Sequence, residues 1–352
     1  LPPDVQESMV DLSLGLLAPG RTGHMISRTF VCFGADPQEV EATIRSSKSL
    51  TDLAGRFSDL GGKWEEFANE AKTSLHRATA RDAYLRATVY YGVEAWSASA
   101  PGQLRDAYID IRRCYRAFRK EESATIEAVE LPFQDGASLP GFLRIPRGEG
   151  PHPCVVIVQG YDTIKEWMTP LTRVAEERGL ATLYVDMPGH GEALLRGLPL
   201  ASPRSAENLG RAICGYLCQR DDIDRNNLGL FGLSLGGFVA LIIASTVEAL
   251  GTCATLGAPF DFGFLDRCSP IMLRRASFAT GFDSVDAVRQ SLAGLDLRPY
   301  LLRARGPLLI AHGDGDEIVP VRHAELIHHH ARCPKALEVY ERGDHLVSHV
   351  LN

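Results

Sequence analysis

The stretch Leu228 to Val247, LGLFGLSLGGFVALIIASTV, contains no charged side chain. Its length meets the requirement of about 20 apolar residues for a membrane-spanning helix. Gly229, Gly232, Gly236 and Gly237 would punctuate the first half of any such helix, however. The better parse is a buried strand over 228–232, a tight turn, and a buried helix from about Gly236 onward, since both elements can be apolar on all sides inside a protein. Within the turn, Gly232-Leu233-Ser234-Leu235-Gly236 reads GxSxG. A serine on a sharp strand-to-helix turn lifts its hydroxyl above the sheet edge, and the flanking glycines let neighbouring backbone approach.

Outward from this run, short apolar segments alternate with helical patterns. Strands are expected at 154–158, 181–185, 252–256, 307–311 and 337–340, with helices at 167–178, 205–219 and 322–330. Short apolar strands alternating with helices imply a parallel sheet covered on both faces. Ahead of them, 125–133 and 139–145 straddle Asp135-Gly136, a hairpin signal. Residues 1 to about 125 read as helical. Asp36-Pro37 is a cap followed by proline at the first helical position, Gly61-Gly62 reads as a break, and Pro101-Gly102 reads as another. The expected organisation is a helical region, 1–125, followed by an α/β region, 126–352.

Composition narrows the function classes. The 352 residues include 37 Lys+Arg against 44 Asp+Glu, a net charge of -7. Without a basic surplus or a basic run interleaved with aromatics, nucleic-acid binding is not expected. Eight scattered cysteines, none in a CxxC pair, suit reduced thiols in the cytoplasm better than a disulfide framework or a metal site. Leu1-Pro2-Pro3-Asp4 has no initiator Met and no basic-then-apolar pattern, so it reads as a trimmed start without a secretion signal. His328-His329-His330 point in different directions on a helix and read as a surface helix end.

A serine hydroxyl is a weak nucleophile at neutral pH, so Ser234 would need a histidine base and a carboxylate to orient it. Both follow later in the chain, each after an expected strand. His312-Gly313-Asp314-Gly315-Asp316-Glu317-Ile318-Val319-Pro320 offers Asp316, and Glu341-Arg342-Gly343-Asp344-His345 offers His345. Asp314 and Asp344 compete with Asp316 but suit turns, and His349 competes with His345. The order Ser234, Asp316, His345 is the one that such a sheet requires.

These residues together resemble the α/β-hydrolase fold. Asp186-Met187-Pro188-Gly189-His190-Gly191 resembles the loop after its fourth strand, HGxxDxxVP carries the acid, and Gln159-Gly160 stands where many members have His-Gly. More narrowly, the helical N-terminal region, Asp135-Gly136 with Leu139-Pro140-Gly141, and Gly160-Tyr161-Asp162-Thr163-Ile164-Lys165-Glu166 resemble one group. That group includes 2,6-dihydroxypseudooxynicotine hydrolase, FrsA-like proteins and polyketide-shortening hydrolases. The resemblance implies a mostly parallel sheet with an N-terminal helical cap, and an oxyanion hole from the backbone N–H groups of Leu235 and Tyr161. It implies no metal and no organic cofactor.

The expected activity is hydrolysis of an ester, amide or β-diketone C–C bond in a bulky small molecule, with a polyketide-like or aromatic metabolite implied by resemblance. Asp162, Lys165 and Tyr91 are candidate substrate-binding residues. One alternative is a lyase that eliminates an acyl group such as acetate; another is a non-catalytic binding protein. A small-molecule substrate, a homodimer, and the absence of membrane or nucleic-acid partners complete the expectations.

Overall fold

The computed structural model describes residues 28–98, 101–161, 163–199, 203–268 and 284–348, together with 273, 276, 277, 280 and 282. The chain divides into two compact units, Leu1–Ser123 and Ala124–Asn352.

The first unit is helical: α1 (Pro37–Ser46), α2 (Leu50–Thr73), α3 (Arg77–Ser97) and α4 (Pro101–Glu121). Asp36 caps α1, its Oδ1 accepting from the N–H groups of Gln38 at 2.9 Å and Glu39 at 3.1 Å. Such a cap satisfies donors that the helix itself leaves open. Helix α3 buries residues around most of its circumference, among them Tyr84, Tyr90, Tyr91 and Trp96. This is the pattern of a helix with neighbours on several sides.

Gly61-Gly62 does not break a helix. Helix α2 runs through both, and a Cβ placed on Gly61 would come within 2.8 Å of ring carbons of Tyr91. The glycine is where α2 and α3 approach closely, so the residue type that signals a break from sequence serves packing here.

The second unit is built on an eight-stranded sheet: β1 (Thr125–Pro132), β2 (Ser138–Ile145), β3 (His152–Val158), β4 (Ala181–Val185), β5 (Ile223–Leu233), β6 (Thr252–Leu256), β7 (Leu308–Gly313) and β8 (Lys335–Tyr340). Spatial order is β1-β2-β4-β3-β5-β6-β7-β8. The hairpin β1–β2 and the pair β2–β4 are antiparallel, and every later pairing is parallel. Asp135 at φ 55° and Gly136 at φ 76° turn the hairpin. The helices of this unit are α5 (Thr169–Glu176), α6 (Gly191–Leu195), α7 (Pro203–Leu217), α8 (Leu235–Thr246), α9 (Val285–Leu292), α10 (Arg298–Leu301) and α11 (Arg322–His330). This is the α/β-hydrolase fold.

The uncharged run resolves into β5, a turn at Ser234 and helix α8, which is buried from Leu235 to Ala244. No helix among the described residues is long and apolar enough to cross a membrane. β5 lies mid-sheet between β3 and β6, so the turn at its C-terminal end is flanked by the loops that follow both neighbours.

Candidate active site

Ser234 occupies the junction of β5 and α8 with φ 52° and ψ −122°, a conformation that costs a side-chain-bearing residue energy. Close contacts hold it there. A Cβ on Gly236 would lie 2.0 Å from the Val158 carbonyl oxygen, and one on Gly232 would lie 2.6 Å from that of Gly236. The Ser234 N–H donates to the Leu256 carbonyl at 2.8 Å, and the Ser234 carbonyl accepts from Gly237 and Phe238, closing the first turn of α8. Leu235, the first residue of α8, presents its N–H at a helix N-terminus, where amides have no intrahelical partner.

The loop after β3 reaches this turn at Gly160, where a Cβ would sit 3.5 Å from the Ser234 Cβ. Tyr161 follows immediately, in a turn closed by Thr163, whose N–H and hydroxyl both donate to the Gly160 carbonyl.

On the other side, Gly257 links the serine turn to His345. Its preceding carbonyl, Leu256, is the acceptor for the Ser234 N–H, and a Cβ on Gly257 would lie 3.1 Å from the imidazole Cε1 of His345. His345 Nδ1 meets Asp316 Oδ2 at 2.6 Å. A carboxylate only accepts, so Nδ1 carries the proton and Nε2 is left as the basic nitrogen. The loops bearing these two residues are locked together: a Cβ on Gly313 would fall 2.1 Å from the Gly343 carbonyl oxygen, and Gly315 N–H donates to that same carbonyl at 2.9 Å.

Asp316 is buried and fully engaged. Oδ1 accepts from the N–H groups of Ile318 and Val319, each at 2.9 Å. Oδ2 faces His345 and also His312 Nε2 at 3.2 Å. Burial alone would raise its pKa. Electrostatic attraction to His345 and hydrogen bonds from His312, His345 and Val319 outweigh burial and hold the carboxyl well below its usual range. The other two carboxylates of these loops serve turns. Asp314 Oδ1 accepts from the Arg342 N–H at 2.5 Å, and Asp344 Oδ1 accepts from the Ser348 N–H at 2.8 Å.

His312 is a member that the sequence reading did not single out. Fully buried, it places Nε2 2.7 Å from the Val319 carbonyl as well as near Asp316, and since both partners only accept, Nε2 bears its proton. Its place at the head of HGxxDxxVP was the available signal.

Of the candidate substrate-binding residues, Lys165 is turned inward. Its ammonium lies 2.8 Å from Asp186 Oδ2, 2.9 Å from Glu166 Oε1 and 3.3 Å from Glu192 Oε2, at 2% exposure. Burial acts to discharge it, but the three carboxylates outweigh burial and keep it protonated. Burial also pushes the Glu166 carboxyl up, against the pull of the Lys165 ammonium. Tyr91 belongs to the helical unit, where it is buried and its hydroxyl donates to Glu65 Oε2 at 3.0 Å. Asp162 and the rival base His349 lie outside the described residues. Beside Leu235 an apolar pocket is lined by Met187, Ala206, Leu209, Phe238, Phe262 and Leu295, among others.

The profile of the family described as "Esterase FrsA-like" matches residues 59–343. Among curated proteins, the chain is 29% identical over 205 residues to 2,6-dihydropseudooxynicotine hydrolase of Paenarthrobacter nicotinovorans, a match spanning 55% of each chain. The alignment thus spans about half the length of that relative. Esterase FrsA of Escherichia coli K12 is 24% identical over 348 residues, 90% of this chain and 82% of that one. Among solved structures, 2,6-dihydroxy-pseudo-oxynicotine hydrolase superposes with a TM-score of 0.81 at 24% identity, covering 92% of this chain and 91% of that one. AbyA5 superposes at 0.64 with 20% identity, covering 82% and 79%. The strained serine turn, the paired loops behind it and the sheet order therefore sit within a family match that spans most of the chain: this protein belongs to the FrsA-like esterase family of α/β-hydrolase enzymes.

Proposed function

We propose that this hydrolase works through a covalent acyl-enzyme on Ser234. The observation that carries the reading is the 2.6 Å contact between His345 Nδ1 and Asp316 Oδ2, in loops that Gly257 ties to the serine turn. In this reading His345 Nε2 takes the Ser234 proton as Oγ attacks a carbonyl carbon, then returns it to the leaving group. Asp316 holds the imidazole in the required tautomer and stabilises the imidazolium. The N–H groups of Leu235 and Tyr161 receive the negative charge that develops on the carbonyl oxygen, where one such donor is worth about 10²–10³ in rate. Water then attacks the acyl-enzyme by the same proton route in reverse.

The substrate class is a bulky small molecule with an ester, amide or β-diketone carbonyl, of aromatic or polyketide-like character. The apolar lining beside Leu235 and a relative named for 2,6-dihydropseudooxynicotine support this class.

The test is labelling with a fluorophosphonate, read by intact mass and peptide mapping. One adduct on Ser234, lost in His345→Ala, is expected. A protein that takes no label overturns the reading, and a Ser234→Ala variant that still releases acid from an acyl substrate points to elimination instead.

A further inference from the structure

Asp186 follows β4 and is fully buried, and its carboxylate is turned to the segment after β3 and to the start of α6. It gathers four donors. Oδ1 accepts from Gln159 Nε2 at 3.0 Å and from the Lys165 N–H at 3.0 Å. Oδ2 accepts from Lys165 Nζ at 2.8 Å and from the Glu192 N–H at 2.9 Å. Gly191 is required beside it, since a Cβ there would lie 2.3 Å from Oδ2.

The pattern of these contacts is specific. Gln159 and Lys165 are the two ends of the segment that contains Gly160 and Tyr161, so one oxygen of one carboxylate clamps both ends of that segment. The Asp186 charge is paired directly with the ammonium of Lys165, which is itself part of the clamped segment and also meets Glu166 and Glu192. A buried carboxylate with four donors and a buried ammonium with three acids is expensive to desolvate, and breaking one side would leave the other uncompensated. A network this buried holds its members to one geometry.

We infer that Asp186 and Lys165 are positioning residues that, by holding Gln159 and the Lys165 N–H, set Gly160 and Tyr161 so that the Tyr161 N–H points at the oxygen of a tetrahedral intermediate. This rests on the reading of Tyr161 as an oxyanion donor. The reason is geometric: oxyanion donors act only when held within hydrogen-bonding distance of where charge develops, and a displacement of about 1 Å can cost on the order of 10² in rate. Asp186→Asn removes the charge while keeping the shape. Gln159→Met removes a single hydrogen bond from the clamp without exposing a buried charge, and so serves if Asp186→Asn does not fold.

The experiment follows phosphonylation of Ser234 by a fluorophosphonate, in which the Oγ–P bond forms, the P–F bond breaks, fluoride leaves and the serine proton passes to His345. Both variants should label more slowly, by about 10- to 100-fold for Asp186→Asn and less for Gln159→Met. With p-nitrophenyl acetate, kcat should fall while KM stays within about twofold, because the donor acts on the transition state. Amide hydrogen exchange should rise in residues 159–165 and remain unchanged in α8. A purely structural role would instead lower the melting temperature with a normal rate per folded molecule. If the parent protein labels and both variants label as fast, the positioning role is overturned while the Ser234 reading stands. If the parent itself does not label, the Ser234 reading fails and the inference with it.

Discussion

His345 and Asp316 lie 29 residues apart in sequence, and their Nδ1 and Oδ2 atoms lie 2.6 Å apart. The same oxygen faces a second imidazole, that of His312, at 3.2 Å. The carboxylate is therefore committed to the site on every side, and its chemistry follows from that.

Asp316→Asn should leave the fold in place and lower kcat by about 10⁴-fold, because the amide can present an N–H to His345 Nδ1 and favour the wrong tautomer. Steady-state kinetics together with circular dichroism would check this. A variant with more than a tenth of parental kcat would count against the role of the pair.

Asp316 also carries a pH consequence. Its folded pKa is depressed, so the stabilisation it brings is present above the unfolded carboxylate value and is lost as pH falls through the lower folded value. Between pH 5 and 8 it stays ionised. Urea unfolding midpoints of the parent should therefore drop more steeply below about pH 4 than those of Asp316→Asn.

Ser234→Gly should abolish fluorophosphonate labelling and yet stabilise the protein by about 1 kcal/mol, since glycine adopts φ 52° without strain. Differential scanning calorimetry would show a melting temperature about 2–4 °C higher. An unchanged or lower value would mean that the turn is not strained.

In the helical unit, two glycines of α2 should respond oppositely. Gly55 has nothing within 4 Å of a new Cβ, so Gly55→Ala should stabilise by up to about 1 kcal/mol through helix propensity. Gly61→Ala would meet the Tyr91 ring at 2.8 Å and should destabilise by about 1–3 kcal/mol. Chemical denaturation of the two variants decides, and Gly61→Ala combined with Tyr91→Leu should recover part of the loss.

The cysteines should separate by burial. Burial pushes Cys154 up to about 12, and burial with the Cys218 hydrogen bond pushes Cys214 up to about 11, but Cys214 and Cys218 are only half-buried, so access should let a thiol reagent at pH 8 modify that pair before Cys154. Mass spectrometry of the partly modified protein gives the order. Equal rates would show that the sheet around Cys154 opens readily.

Much of the fold was legible because its signals are local. The β1–β2 hairpin shows in Asp135-Gly136, the cap of α1 in Asp36-Pro37, and the strand-turn-helix of Ser234 in an uncharged run interrupted by glycines. Each depends on backbone preferences and burial patterns within a few residues. Gly61 shows where that logic stops: alone it reads as a helix break, and only the Tyr91 ring packed against it explains its place inside a helix.

The chain by itself thus determined the alternation of strands and helices, the turn that presents Ser234, and the sequence order in which a carboxylate and a histidine follow it. Tertiary structure alone decided which groups meet. Three aspartates stood near His345 in the motifs, and Asp316 is the one brought to its Nδ1, while Asp314 and Asp344 accept backbone N–H groups in turns. Lys165, exposed by its charge to any reading as a ligand contact, is drawn inward to Asp186, Glu166 and Glu192. The physical reason is range. Conformational preference acts along the chain, whereas the partner of a charge is set by distance and burial, which residues far apart in sequence acquire only when the sheet assembles.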